Sequence, residues 1–143
     1  MGKVSDILNR KGHNVVTVTP KNLVIDAVSL MSEHQIGAVL VIEKGAVVGI
    51  FSERDLLQRV VAKKESTEKL RVGQVMTSPV AYCSPETEIS ECQSVMTQKR
   101  IRHLPVVQSG KLTGIVSIGD IVAWKMSEQE TTIKYLSTYI YGE

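Results

Sequence analysis

The chain states one pattern twice. Residues 15–56 align with residues 80–121 at a constant offset of 65 with no gap, and 11 of those 42 positions are identical. The shared residues are mostly punctuation and core: Pro20/Pro85, Met31/Met96, Ile36/Ile101, Val41/Val106, Gly45/Gly110 and Gly49/Gly114. Self-similarity in register over this length means one structural unit built twice. Each copy closes on Gly-apolar-apolar-Ser-x-x-Asp, at Gly49–Asp55 and Gly114–Asp120. That ending puts a hydroxyl and a carboxylate at a strand-to-helix junction, once per copy.

Both copies share a grammar. A short strand, Val15–Val18 or Val80–Cys83, runs into a Thr-Pro or Ser-Pro stop. A helix follows, with Asn22 and Thr87 at matching N-cap positions. Val24, Ala27, Val28 and Met31 form one buried stripe, and Ile89, Cys92, Val95 and Met96 form its counterpart. Two strands come next in each copy, Ala38–Ile42 with Val47–Phe51 and His103–Val107 with Leu112–Val116. Lys44-Gly45 and Ser109-Gly110 are the expected hairpin turns. A second helix starts after Ser52 and after Ser117.

An apolar preamble also recurs, Val4-Ser-Asp-Ile7-Leu8 against Val72-Gly-Gln-Val75-Met76, at an offset of 68. The first copy therefore carries three extra residues between Asn9 and Asn14. The polar stretch Lys63–Lys69 reads as a linker. Three units are expected: repeat one over 1–66, repeat two over 67–126, and a helical tail over 127–143. In the tail Ile133, Leu136 and Ile140 fall at helical spacing, and Tyr135, Tyr139 and Tyr141 suit packing or a partner surface. A βαββα unit this small cannot cover its own sheet. The fold class expected is α+β (α/β), two pseudo-symmetric repeats docked through their sheets around a shared core, with clefts along the seam and a C-terminal helix.

Bulk properties exclude several classes. With 43% hydrophobic and 22% charged residues among 143, the chain is globular. A net charge of +2 gives no general field for nucleic acid. Apolar runs of about seven residues fall short of the roughly 20 that span a bilayer, so no membrane partner is expected. MGKVSDILNR lacks a signal peptide's apolar run, and the expected location is the cytoplasm. Cys83 and Cys92 lie outside any Cys/His cluster and read as core residues. His13, His34 and His103 have no partners at metal-ligand spacing, so no metal is expected. No nucleophile, P-loop or paired acid and base appears, which argues against an enzyme.

Three stretches carry a family resemblance: the MT-x-P step at Met76–Pro79, Arg-His-Leu-Pro-Val-Val at 102–107, and the endings GIFSERD and GIVSIGD. Together with the preambles and hairpins, they resemble a tandem pair of cystathionine-β-synthase (CBS) domains, a Bateman module, from Val4 to about Lys125. The resemblance implies a regulatory sensor without chemistry of its own. Such a sensor holds an adenosine compound such as AMP, ATP, NAD(H) or S-adenosylmethionine between the repeats.

Ser52-x-x-Asp55 and Ser117-x-x-Asp120 are each also what a helix capping box looks like. In the resemblance each Asp would accept hydrogen bonds from ribose hydroxyls, with the first helical amides near sugar or phosphate. Each cleft then mixes the repeats. One would combine Ile50, Ser52, Arg54 and Asp55 with Thr77, Pro79, Ala81, Ile101, Arg102 and His103. The other would combine Ile115, Ser117, Gly119 and Asp120 with Lys11, Val16, Ile36, Gly37 and Ala38. Arg102 and His103 face a phosphate in the first, whereas the second has small residues there and a basic rim of Arg10, Lys11 and His13. A compact mononucleotide suits the first cleft and a larger ligand such as NAD(H) the second.

Leu56, Leu57, Val60 and Val61, with Ile121, Val122 and Trp124, offer more apolar surface than the seam consumes, and a homodimer is expected. The effector protein is not named by the sequence. The competing reading is a ligand-free protein-interaction or assembly module.

Overall fold

The computed structural model describes residues 2–141, with side chains through residue 129. Repeat one contains α1 (Val4–Lys11), β1 (Thr17–Val18), α2 (Val24–His34), β2 (Ala38–Glu43), β3 (Ala46–Ser52) and α3 (Glu53–Asp55). α3 passes directly into a π-helical turn over Leu56–Val61. Repeat two contains α4 (Val72–Val75), α5 (Ile89–Lys99), β4 (His103–Gln108), β5 (Lys111–Ser117) and α6 (Ile118–Tyr141). The α+β architecture expected above, a helix and a hairpin repeated twice, is the one observed. The tail side chains named above lie outside the described residues.

The hairpins agree in detail. β2 pairs antiparallel with β3 and β4 with β5, and both ladders shift register at equivalent places, Val41/Ile42 and Val106/Val107. Lys44 and Gly45 have φ of 51° and 78°, and Ser109 and Gly110 have 51° and 77°. Positive φ at both turn positions is the type I′ geometry that matches strand twist. β1 runs parallel to β2. Its expected counterpart, Val80–Cys83, makes only the single parallel bridge Cys83↔Val106, so that segment is not a strand.

The preambles exchange places. Val4, Ile7 and Leu8 of α1 are buried among Ile89, Met96, Leu104 and Ile121 of repeat two. Val72 and Val75 of α4 are buried among Val24, Met31, Phe51 and Val60 of repeat one. The expectation of one shared core is therefore replaced by two cores, each completed by the other repeat's preamble. Burying each such side chain contributes about 1.5–3 kcal/mol. Two of the matched glycines have their reason here. A Cβ on Gly49 would collide with Met76 Sδ, and one on Gly114 would meet Leu8 Cδ2 at 2.8 Å. The preambles press where a strand has no side chain.

The same exchange supplies the helix caps. Val24 N donates to Leu70 O and Ile89 N to Gly2 O, both at 2.9 Å. Asn22 and Thr87 do not cap their helices: they stand one residue ahead of the N-cap positions Leu23 and Glu88. Their side chains reach backward instead, Asn22 Oδ1 accepting from Thr19 N at 2.7 Å and Thr87 Oγ1 from Ser84 N at 3.0 Å. A carbonyl from the partner preamble already meets each first helical amide, so these side chains close the preceding turn.

The second helices also depart from expectation. Leu56 and Val60 turn into the first core and Ile121 into the second. What remains outside is Leu57 (61% exposed), Val61 (57%), Val122 (48%) and Met126 (53%). Leu57/Val122 and Val61/Met126 are equivalent at the repeat offset of 65. Trp124 is half-buried beneath the Arg10 guanidinium, 4.2 Å from its ring centroid. Cys83 and Cys92 are both buried and unbridged. Its hydrogen bond with the Cys92 thiol, and then burial, push the Cys83 thiol upward. Among the described residues, no helix is long and apolar enough to cross a membrane.

Candidate functional site

The Asp55 cleft begins where β3 ends. Ser52 N and Ser52 Oγ donate to Asp55 Oδ2 at 3.0 and 3.2 Å, and Asp55 N donates back to Ser52 Oγ at 3.4 Å. That is a capping box. Repeat two adds a third donor, Thr77 Oγ1 to Asp55 Oδ1 at 2.8 Å. Thr77 is held there by its own backbone: its N–H donates to Ile50 O at 2.8 Å and its carbonyl accepts from Ile50 N at 3.0 Å. Arg59 Nε lies 3.7 Å from Asp55 Oδ1, while its Nη1 donates to Met76 O at 2.8 Å. Among the described residues Asp55 is the one buried charged side chain, at 4% exposure. A carboxylate in that position requires partners, and it has them.

A cavity of about 480 Å³ opens over this junction. Ile50, Ser52, Arg54, Asp55, Thr77, Pro79, Ala81, Ile101, Arg102 and His103 all line it. The structure thus gathers into one cavity every residue named from sequence for the first cleft. Its wall is basic. Lys99, Arg100, Arg102 and Arg54 line it together with Glu53 and Asp55, and Arg54 Nη1 donates to Arg100 O at 2.6 Å across the seam. Arg100 adopts the left-handed C-cap conformation of α5, φ 55°, which turns the chain so that residues 100–103 pass along the cavity. His103 is half-buried, and burial pushes its pKa below the ordinary 6.5. Asp120 and Glu53 pull it upward, against Lys11 and Arg102.

Sequence reasoning missed Glu53, Leu57, Gln58, Val80, Lys99 and Arg100 as lining residues. The helix-ending position of Lys99-Arg100 beside a named segment was the available signal. Leu57 and Gln58 had none, because the π-helical turn that orients them is not encoded by apolar spacing.

The Asp120 cleft is built differently. The capping box is intact, with Ser117 N donating to Asp120 Oδ2 at 2.8 Å and Asp120 N to Ser117 Oγ at 3.1 Å. Lys11 Nζ donates to Asp120 Oδ2 at 2.8 Å and to Ile115 O at 3.0 Å. His13 Nδ1 lies 2.9 Å from Thr113 O, and Arg10 covers Trp124. The basic rim expected here is engaged within the chain. Gly119 is exposed at the helix start. The remaining residues named for this cleft go elsewhere. Gly37 lines the Asp55 cavity, and Ala38 is buried opposite Ser52 in the β2–β3 ladder. Val16 and Ile36 pack against the first core.

Comparison with known proteins follows the same two-part division. The CBS domain family model matches residues 4–62 and 72–127. The CBS domain-containing protein CBSX3, mitochondrial, of Arabidopsis thaliana is 34% identical over 148 residues, covering 97% of this chain and 72% of that protein. A solved protein with CBS domains from Burkholderia ambifaria superposes with a TM-score of 0.87 at 41% identity, over 90% of this chain and 96% of that one. A CBS domain pair solved with 5′-methylthioadenosine and S-adenosyl-L-methionine shares the fold at 22% identity and TM-score 0.77, over 90% of this chain and 98% of that one.

Proposed function

Because this chain belongs to the CBS-domain family, with two copies in tandem, we propose that it is a regulatory module that senses an adenine nucleotide in the Asp55 cavity. The observation that carries the reading is the composition of that cavity: a helix-start carboxylate, two hydroxyls and several cations contributed by both repeats. Its volume of about 480 Å³ lies within the range of small-molecule sites, roughly 300–1,000 Å³. Ribose hydroxyls have an acceptor in Asp55. A phosphate has Arg54, Arg102 and the residues around them, and planar guanidinium groups suit phosphate oxygens. AMP and ATP fit this charge pattern directly, and NAD(H) is the larger candidate. A protein of the same fold has been solved with adenosine compounds, which supports the ligand class.

The transmitting step is linkage. A ligand touching Asp55 in one repeat and Arg102 in the other favours the docking geometry in which both are within reach. Leu57 lines the cavity and is also 61% exposed beside Val61. With Val122 and Met126 it forms matched apolar stripes suited to a homodimer, the simplest closed assembly. Ligand occupancy can then be read by a partner through the helix that carries Leu57. No bond is made or broken.

Calorimetric titration of the full chain with AMP, ATP, NAD(H) and S-adenosylmethionine tests the reading. Saturable heat with at least one of them, weakened about 10- to 100-fold in Asp55→Asn, is the expected result. Silence toward all four, with a folded protein, would favour an assembly module without a ligand.

A further inference from the structure

We infer that Lys11 is a built-in plug of the Asp120 acceptor, and that it limits the chain to one adenosine ligand. The inference rests on the proposed nucleotide reading and assigns its stoichiometry. The argument comes from the pair of junctions. In the first, Thr77 serves two acceptors: its N–H reaches Ile50 O and its hydroxyl reaches Asp55 Oδ1, each at 2.8 Å. In the second, the equivalent acceptors are Ile115 O and Asp120, and the single ammonium of Lys11 takes both, at 3.0 and 2.8 Å. A neutral hydroxyl has been replaced by a full positive charge.

The replacement follows from chain length. α4 stops after four residues, at Val75, whereas α1 runs for eight and ends at Lys11. The three extra residues of the first copy make room for that added turn. Val4, Ile7 and Leu8 anchor α1 in the second core, so its last residue is presented to Asp120 from a fixed base. A cation in a last helical turn is also favoured by the carbonyl end of the helix.

A ribose hydroxyl approaching Asp120 must displace an ammonium, which adds direct opposite-charge attraction to its hydrogen bond, whereas a hydroxyl brings no charge of its own. At Asp55 the side-chain hydrogen bonds come from hydroxyls that can rotate, while the Arg59 guanidinium stands off at 3.7 Å with its Nη1 committed to Met76 O. The plug is openable, since the Lys11 and Asp120 side chains keep 32% and 23% of their exposure.

The test is AMP titration of the full chain by calorimetry, comparing wild type, Lys11→Met, Lys11→Gln and Lys11→Arg, each also with Asp55→Asn. Wild type should bind one AMP per chain. Lys11→Met and Lys11→Gln should add a second site at least about tenfold tighter than any second event in wild type, and Lys11→Arg should not. With Asp55→Asn alone, binding should weaken about 10- to 100-fold; with Lys11→Gln added, one tighter site should return. If wild type binds one AMP and neither neutral variant adds another, the plug is refuted and the nucleotide reading stands. Weaker binding in both neutral variants would make Lys11 a ligand contact, which also refutes the plug. If wild type and Asp55→Asn are both silent but the neutral variants bind, the plug holds and the Asp55 site is the part that fails. Circular dichroism of each variant confirms folding, and the glutamine variant serves if methionine misfolds.

Discussion

Two junctions built from the same seven-residue ending do different things. At Asp55 the carboxylate is buried and held by two hydroxyls and a backbone amide, with Arg59 3.7 Å away, and a cavity of about 480 Å³ opens beside it. At Asp120 the carboxylate is partly exposed and held by Lys11. The motif itself is a helix cap in both places. What distinguishes them is the segment each receives from the other repeat: a short α4 that delivers Thr77, or a longer α1 that delivers an ammonium. A capping motif thus supplies position, and the exchanged preamble decides whether that position faces a ligand.

Stability should break the symmetry most strongly. Asp55→Ala leaves Ser52 N, Ser52 Oγ and Thr77 Oγ1 without their acceptor in a buried setting. Such unpaired groups cost about 1–3 kcal/mol, and a lost helix-start contact adds of the order of 1 kcal/mol. Asp120→Ala removes a partly exposed ion pair and a cap, and should cost about 1 kcal/mol. Urea midpoints of the two variants measure the difference. Equal losses would mean that burial of Asp55 has no energetic consequence.

Affinity should separate the junctions next. Asp55→Asn removes an ionised acceptor whose hydrogen bonds are each worth about 1.5–3 kcal/mol, so AMP binding should weaken about 10- to 100-fold. Asp120→Asn should leave it within about twofold, because Lys11 already holds that acceptor. Both variants losing affinity alike would show two working sites.

Much of this was legible in the sequence. The offset of 65 between copies located both hairpins, both turns and both junctions, because turn glycines and strand alternation act locally. All ten residues named for the first cleft line one cavity; local pattern places each strand end and helix start, and the grouping across the two repeats is what the family resemblance implies. The exchange of preambles was not legible. Val4 and Val72 carry the same local pattern whether they pack at home or across the seam. Lys11 was named for the second cleft as a rim cation, but its actual partner depends on α1 running a further turn. The family resemblance implies Gly37 and Ala38 for that cleft, whereas the structure has Gly37 at the first cavity and Ala38 buried opposite Ser52.

Phosphate recognition gives a smaller effect. Arg102 is exposed on the cavity wall, and exposed ionic contacts contribute at most about 1 kcal/mol. Arg102→Ala should therefore weaken AMP about three- to fivefold and adenosine less than twofold, with the AMP loss shrinking as salt rises. An equal loss for nucleoside and nucleotide would place Arg102 against the base or sugar and remove it as a phosphate contact.

The smallest expected effect joins the two junctions through His103. Burial holds its pKa below the ordinary 6.5, with Asp120 pulling upward, Lys11 downward, Glu53 upward and Arg102 downward. A base whose folded pKa is depressed stays neutral when folded while the unfolded chain takes up a proton. Its contribution to stability is thus fully present above pH 6.5 and is lost as pH falls through 6.5 toward the folded value. His103→Gln should flatten that part of the acid limb. Lys11→Met should do so partially, because Asp120 would then face His103 without a competing cation. Urea midpoints between pH 7.5 and 5.5, compared across wild type, His103→Gln and Lys11→Met, resolve slopes of this size. Superimposable curves for wild type and His103→Gln would show that His103 is not energetically coupled to either junction. A steeper limb in Lys11→Met would mean that Lys11 does not set the field at Asp120.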